Sequence, residues 1–161
     1  MKEITLTQGR VALVDDEDYE ELNKYKWCAV KLHGIYYAKR QQKIRKDVEK
    51  VILMHRQITN FKYKMIDHID HDGLNNQKYN LRSCNQAQNT ANSRPYENNT
   101  SGLKGVCWHK IGKKWVSQIG FNNNLIYLGL FNDKNDAGRA YDKKAIELFG
   151  EFAVLNFPDS C

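Results

Sequence analysis

Residues 66–92 read IDHIDHDGLNNQKYNLRSCNQAQNTAN and decide the fold of the first part of the chain. The pattern predicts, in order, a strand at 64–69, a polar loop turned by Asp72 and Gly73, a strand at 81–83 and a helix with Asn85 as its N-cap. These elements form a compact ββα unit. Asp67 and His68 are adjacent on the first strand, so their side chains point to opposite faces unless the backbone bends there.

This ββα unit resembles the HNH nuclease motif, in the variant whose last histidine is replaced by asparagine. The matching residues are Asp67-His68, then Asn80-Leu81-Arg82, then Asn89 on the following helix. The resemblance implies that Asp67 and Asn89 are oxygen ligands of a divalent metal and that His68 is the general base. It also implies that Asn80 fixes the loop between the two strands.

The side-chain chemistry agrees with these roles. A carboxylate and an amide oxygen are hard ligands that leave most of a magnesium shell to water and a phosphate oxygen; manganese is the alternative ion. A neutral imidazole with a pKa of about 6.5 can take a proton from water near neutral pH. Loops rich in Asn and Asp also occur as plain turns, so a structural or inactive ββα unit is the alternative. His71, within the loop, is expected to be solvated.

Composition limits the class of protein. The 161 residues carry 25 basic and 19 acidic side chains, for a formal net charge of +6 and a pI near 9.1, which suits a polyanionic partner. No apolar run approaches the ~20 residues of a membrane span, and the N-terminus lacks the apolar core of a signal peptide. The four cysteines form no C-x-x-C pair. We therefore expect reduced thiols, no structural zinc and a cytoplasmic location in a bacterial or phage-infected cell.

Short strands and one helix are predicted ahead of the ββα unit. Residues 2–7 and 9–14 alternate as strands do, and the acidic start of 15–25 is typical of a helix N-terminus. Two further strands flank His33-Gly34, which predicts a hairpin turn. The polar segment 41–50 is expected to be a solvated loop.

A His-Arg pair follows, as it commonly does in HNH proteins. Residues 51–61, VILMHRQITNF, predict the end of an apolar strand against a short helix. The resemblance implies that this segment braces the nuclease unit. Arg56 and Arg82 are predicted to contact DNA, whereas a catalytic role for His55 is not favoured.

The chain changes character after a linker. Residues 93–101, SRPYENNTS, lack periodicity, and we place the linker itself at 94–100. Beyond it, three strand patterns (GVCWHK, KKWVSQIGF and LIYLGLF) precede a helix that begins near Asn132 or Asp133 and stops at Gly150. The helix is predicted to cover one face of the sheet and to leave the other face open.

This C-terminal module resembles an AP2/ERF-type DNA-binding domain along nearly its whole length, from KGVCWHK to AVLNFP. In that family the open face of the three-stranded sheet lies in the major groove of DNA. Strand alternation directs Ser117 and Ile119 to the helix and Gln118 to the open side. The residues predicted to contact bases or phosphates are Lys104, His109, Lys110, Lys113, Lys114, Gln118 and Tyr127.

The module also departs from the AP2/ERF pattern. Where family members often carry arginines, this chain has Cys107, Gly120 and Leu125. Fewer bidentate contacts to guanine imply different base selection and more dependence on phosphate contacts. Trp108 and Trp115 both fall on the helix side by alternation, so we predict that they belong to the core.

Together these patterns predict an α+β protein. An N-terminal α+β segment (1–50) supports an HNH ββα-metal unit (51–93), and a linker (94–100) leads to an AP2-like three-stranded antiparallel sheet covered by one helix (101–158). The implied function is metal-dependent cleavage of double-stranded DNA at a chosen site, by a monomer, as in homing endonucleases. The alternative is a DNA-binding regulator with an inactive HNH unit; an RNA-binding protein is a weaker third possibility.

Overall fold

The computed structural model describes residues 1–95 and 98–158. The chain divides into two compact units, Met1–Cys84 and Asn85–Cys161. The first unit combines small antiparallel sheets with short helices, and the second combines one sheet with a long helix and a short one, in agreement with the predicted α+β class. No helix within the described ranges is both long enough and apolar enough to cross a bilayer.

The first unit contains seven strands and two α-helices in its described part. In chain order they are β1 (Lys2–Thr5), β2 (Val11–Val14), α1 (Asp16–Leu22), β3 (Cys28–Leu32), β4 (Ile35–Arg45), β5 (Val48–Leu53), α2 (Met54–Ile58), β6 (Ile66–His68) and β7 (Leu81–Ser83). All pairings are antiparallel: β1 with β2, β6 with β7, and β3, β4 and β5 in one three-stranded sheet with β4 in the middle.

One hydrophobic core holds the first unit together. Alternate residues of β1 and β2, including Ile4 and Val14, are buried with Ala38 of β4 and Ile52 of β5. Trp27 lies in the same core, and its indole N–H donates to the carbonyl of Leu22 at 2.9 Å. The largest side chain of this core therefore leaves no polar atom unsatisfied.

The hairpin turn predicted at His33-Gly34 is confirmed, because both residues have positive φ (48° and 87°), as a two-residue type I′ turn requires. The loop predicted at 41–50 is wrong. The strand β4 continues to Arg45, and a turn at Lys46-Asp47 leads directly into β5. Every residue from 41 to 50 is exposed, so no buried face imposed the apolar alternation that marks a strand.

The second unit is a three-stranded sheet with one long helix and one short one. Its elements are α3 (Gln86–Ala91), β8 (Val106–His109), β9 (Lys114–Phe121), β10 (Asn124–Phe131) and α4 (Lys134–Phe149), with β9 at the centre of the antiparallel sheet. The predicted limits of α4 are confirmed. The side chain of Asp133 accepts from the N–H groups of Asn135 and Asp136, and Gly150 ends the helix with φ 53°.

The helix α4 covers one face of this sheet. Ala137, Tyr141 and Ala145 are buried on the helix, and Ser117 and Ile119 are buried on β9, as alternation predicted. The predicted core position of Trp108 is wrong, because this side chain is 44% exposed. Its ring packs edge to face against Trp115 at 4.9 Å, but it lies on the edge strand β8.

A buried carboxylate fixes the C-terminal tail of the second unit. The two oxygens of Asp142 accept hydrogen bonds from the backbone N–H groups of Asn156 (2.8 Å) and Phe157 (2.9 Å). The side chain of Asn156 in turn accepts from the N–H of Lys104 at 2.7 Å. These bonds satisfy a charge that would be costly to bury alone, and they tie the tail to the start of the sheet.

Candidate active site and candidate DNA-binding surface

The strands predicted for the ββα unit are confirmed as β6 and β7. Asp67 lies opposite Arg82, and His68 lies opposite Leu81. Both Asp67 and His68 are buried. The Nε of Arg82 donates to Oδ2 of Asp67 at 2.9 Å, and this buried carboxylate gains the charged partner that burial demands. Arg82, predicted to contact DNA, is thus the ion-pair partner of Asp67.

Two further aromatic rings surround the imidazole of His68. The ring of His55 lies 5.1 Å from it, and the ring of Tyr37 lies 5.7 Å from it, both in edge-to-face arrangements. Tyr37 and His55 also contact each other, with ring centroids 5.8 Å apart. Three mutually packed rings restrict the rotation of each one, so the imidazole of His68 is held in one orientation.

The sequence patterns did not predict that Tyr37 and His55 contact His68. Tyr37 lies on β4 and His55 on α2, both remote in sequence from His68. The His-Arg pair was a visible signal for His55, but nothing in the alternation of β4 marked Tyr37 as different from its neighbours. Contacts of this kind depend on how the three-stranded sheet meets β6, which local patterns do not encode.

Burial sets the protonation of both histidines. It lowers the pKa of His68, while the side chain of Asn76 and the carboxylates of Asp70, Asp67 and Asp72 oppose this shift. For His55, burial and the charges of His68 and Arg56 lower the pKa to about 3. Both imidazoles are therefore neutral near pH 7, which is the form that can accept a proton.

Asn80 ties the loop between β6 and β7 together. Its Oδ1 accepts from the backbone N–H of Asp70 at 3.0 Å, and its Nδ2 donates to Oδ1 of Asp70 (2.9 Å) and to the carbonyl of Asn75 (2.8 Å). Asn75 adds a bond from its own Nδ2 to Oδ2 of Asp70 at 2.7 Å. Three side chains thus connect both ends of the loop. His71, predicted to be solvated, is half-buried with φ 64°.

The loop is also attached to its surroundings. The backbone of Leu13 on β2 bonds to Leu74 (2.9 Å) and to Asn76 (2.8 Å). At Gly73 an added Cβ would lie 2.5 Å from the carbonyl oxygen of Tyr36 and 2.6 Å from the ring of Tyr37. Only glycine allows this approach, so the loop packs directly on the ring that contacts His68.

The predicted N-cap of the third helix is confirmed. The side chain of Asn85 accepts from the N–H of Gln88 at 2.9 Å, and the side chain of Gln88 accepts from the N–H of Asn85 at 2.8 Å, which is a capping box. Asn89 follows on this helix, with its N–H bonded to the carbonyl of Asn85 at 3.0 Å. The helix α3 belongs to the second unit, so the grouping of Asn89 with Asp67 stays a prediction, as do the domain limits 51–93 and 94–100.

Binding of a magnesium-type ion stays a prediction. No cluster of three or more His, Cys, Asp or Glu side chains suited to a metal occurs within residues 1–95 and 98–158. Magnesium needs only one or two carboxylates from the protein, because water and phosphate oxygens complete its shell. A carboxylate has about four lone-pair sites, so Asp67 can accept from Arg82 and also bind a cation.

The open face of the second sheet carries some of the residues predicted to contact DNA. Gln118 on β9 pairs with Tyr127 on β10, and Gly120 pairs with Leu125. Tyr127 is 60% exposed and Leu125 is 67% exposed, so this face is open to solvent and partly apolar. The exposed hairpin between β8 and β9 contributes His109, Lys110, Lys113 and Lys114.

Two predicted DNA contacts have partners within the protein. The ammonium of Lys104 donates to the carbonyls of Ala91 and Ser93 (2.6 Å for the second), at the C-terminal end of α3. Burial lowers the pKa of Lys104 to about 8. An ammonium at a helix C-terminus satisfies carbonyls that have no partner in the helix. Arg56, in the first unit, donates from Nη2 to the carbonyl of Lys64 at 3.0 Å.

Known relatives match the chain in two ways. It is 28% identical over 166 residues to an uncharacterised HNH endonuclease of Acanthamoeba polyphaga mimivirus, covering 92% of this chain and 76% of that protein. It is 43% identical over 60 residues to APETALA2-like protein 2 of Oryza sativa subsp. indica, covering 36% of this chain and 14% of that protein. Protein 3.8 of Escherichia phage T7 is 44% identical over 54 residues, covering 34% of this chain and 45% of that protein.

The chain therefore spans less than two thirds of the length of the rice and T7 proteins. No model of a protein family matches it. The resemblance predicted from the sequence, an HNH endonuclease combined with an AP2/ERF-type module, is confirmed by these relatives.

Proposed function

We propose that the protein is a metal-dependent endonuclease that cleaves double-stranded DNA and binds its target through the C-terminal module. The observation that carries the proposal is the pair of consecutive buried residues at the end of β6, the carboxylate Asp67 and the neutral imidazole His68. The relation to a viral HNH endonuclease supports the same chemistry. We also propose that the protein acts as a monomer and that it cleaves at a chosen site, as homing endonucleases do.

In this proposal His68 acts as the general base. Its neutral imidazole accepts a proton from the water that attacks the phosphate, and positioned general bases contribute about 10²–10⁴ in rate. The rings of Tyr37 and His55 hold the imidazole in place, and Asn80 keeps the following loop closed. The protein therefore supplies an oriented base without a conformational change at the moment of reaction.

Asp67 and Asn89 would hold the divalent ion, with magnesium as the expected ion and manganese as the alternative. The ion, when bound, stabilises negative charge on the phosphate and on the leaving oxygen. Arg82 holds the carboxylate of Asp67 in direction through its 2.9 Å bond.

DNA binding is assigned to the open face and the basic hairpin of the second unit. Gln118 offers an amide that can pair with an adenine edge, and Tyr127 offers an exposed ring beside it. The exposed ammonium groups of Lys110, Lys113 and Lys114 would neutralise phosphates, so affinity should fall steeply with salt.

The alternative function is a DNA-binding regulator whose HNH unit does not cut. One observation favours it: the half-buried guanidinium of Arg82 already forms an ion pair with Asp67. The two functions share the C-terminal module and differ only at the metal site. They predict the same binding and opposite results for cleavage.

The test is cleavage of a supercoiled plasmid by the purified protein in magnesium or in EDTA. We expect nicking or cutting in magnesium only, and loss of cleavage in Asp67→Ala and Asn89→Ala at the same magnesium concentration. Matched controls are Asp16→Ala, which removes an exposed carboxylate, and Gln86→Ala, which removes an exposed amide from α3. Full activity of either site variant would remove that residue from the site. Binding without any metal-dependent cleavage by the unaltered protein would favour the regulator.

A further inference from the structure

We propose that the distal part of β4 and β5 is a second DNA-binding element, which lies along the duplex beside the cleaved phosphate. This part, residues 41–50, is named the ribbon below. The proposal rests on the proposed nuclease function, because that function places the duplex at His68. It assigns DNA contacts to the first unit, independently of the AP2-like module.

The ribbon extends beyond the sheet from which it arises. The last pairing of β3 with β4 joins Cys28 to Lys39, and beyond it β4 pairs with β5 alone. Every residue of the ribbon is exposed. Its charged residues are Lys43, Arg45, Lys46, Asp47, Glu49 and Lys50, so basic groups outnumber acidic ones. Lys43 lies opposite Glu49, so the excess positive charge lies at the tip, in Arg45 and Lys46, and at Lys50. An exposed two-stranded ribbon with a basic tip is suited to a polyanionic partner.

One face of the ribbon continues from the candidate active site. Side chains alternate along β4, so Tyr37, Gln41 and Lys43 lie on the same face, which we name the site face. Tyr37 is the ring that contacts both His55 and His68. The opposite face of the same strand carries Ala38, which is buried in the core. A duplex bound at His68 therefore meets the site face and not the core face.

The distance along β4 sets the expected position of the contact. At about 3.3 Å per residue, Gln41 lies about 13 Å and Lys43 about 20 Å along the strand from Tyr37. Base pairs rise about 3.4 Å each along the duplex axis, so with β4 parallel to that axis these side chains reach the groove about four to six base pairs from the cleaved phosphate.

The side chains of the site face match the chemistry of base edges. Across the ribbon, Gln41 pairs with Val51 and Lys43 pairs with Glu49. An amide pairs with adenine, an ammonium with guanine, a carboxylate with the amino group of cytosine, and an aliphatic side chain packs on the methyl group of thymine. The major groove is wide enough, at about 12 Å, for a two-stranded ribbon. The exposed Arg45 and Lys46 at the tip are then available to phosphates.

The experiment uses the full chain on a DNA fragment that is selected for binding in EDTA, and any cleavage site is then mapped on the same fragment in magnesium. Hydroxyl-radical footprints are recorded in EDTA, so that binding is observed without cleavage. The test variant is Gln41→Ala/Lys43→Ala. The matched control is Gln42→Ala/Lys50→Ala, which removes the same two side-chain types from the opposite face of the ribbon. Thermal unfolding of both variants verifies that the first unit is intact.

We expect the unaltered protein to protect the sugars of nucleotides about four to six pairs to one side of the cleaved phosphate. The test variant should lose this protection and bind the site about tenfold more weakly, while the control should retain both. Unchanged protection in the test variant would overturn the proposal, as would equal losses in the two variants, which would indicate charge alone. Absence of cleavage by the unaltered protein in magnesium would overturn the nuclease function, whereas the footprint tests the ribbon separately.

Discussion

Acid should destabilise the first unit through His55. Burial, together with the charges of His68 and Arg56, lowers the pKa of His55 to about 3 from an ordinary value of 6.5. Because the folded pKa lies below the unfolded one, the neutral form stabilises the fold above pH 6.5. That stability is lost as the pH falls from 6.5 toward 3. Each pH unit in this window costs about 1.4 kcal/mol, so lowering the pH from 7 to 5 should cost about 2 kcal/mol.

The assay is urea unfolding followed on the amide NMR signals of β3 and β4 at pH 7 and pH 5. The variant His55→Gln keeps a polar side chain of similar length and cannot be protonated. Its free energy of unfolding should fall between the two pH values by about 2 kcal/mol less than that of the unaltered protein, because other groups titrate equally in both. Equal pH dependence in the two proteins would refute the assignment of a buried, neutral His55.

Three further perturbations test other parts of the structure. Asn80→Ala should lower the free energy of unfolding by about 1–3 kcal/mol and slow cleavage, since it removes two bonds to Asp70 and leaves the carbonyl of the buried Asn75 without this donor; an unchanged melting temperature would contradict this. Gly105→Ala should cost about 2 kcal/mol or more, because φ is +72° and the added Cβ would lie 2.0 Å from a ring carbon of α4; calorimetry of the second unit measures it. The fragment 85–161 should melt at a higher temperature than 99–161, which lacks the carbonyls that Lys104 caps; equal melting temperatures would show that α3 adds nothing.

Features with a local cause could be predicted from the sequence. The cap of α3 at Asn85, the hairpin at His33-Gly34 and the ends of α4 at Asp133 and Gly150 each depend on one or two residues and their own backbone. The alternation that buries Ser117 under α4 also depends only on the period of a strand. Such features can be predicted without knowledge of the rest of the fold.

Features that depend on distant parts of the chain could not be predicted. Alternation placed Trp108 on the helix side correctly, but how far α4 covers an edge strand is a property of the packed module. The ribbon at 41–50 has no buried face. Its two strands pair through backbone hydrogen bonds, which do not require apolar and polar residues to alternate in the sequence. Tyr37 joins His68 only because two sheets of the first unit meet there.

The candidate site likewise contains some features that the sequence predicted and others that it did not. The motif order identified Asp67, His68 and Asn80 as a group, and the structure places all three at or beside the β6–β7 pair. The motif did not indicate that Arg82 pairs with Asp67 instead of facing solvent, or that Lys104 is held at the end of α3. Arg82 pairs with a carboxylate of the protein, and Lys104 donates hydrogen bonds to backbone carbonyls. The sequence pattern of a DNA-binding protein does not reveal such internal partners.

The most direct test of the account compares binding and cleavage by His68→Ala on the same DNA. The control is His33→Asn, which replaces an exposed histidine in the hairpin turn with a residue that tolerates its positive φ. If His68 is the general base, cleavage in magnesium should fall by about 10²–10⁴, while DNA affinity stays within about twofold of the unaltered protein and the control cleaves normally. Cleavage by His68→Ala within about threefold of the unaltered rate would contradict the central claim, since loss of a general base costs far more than that.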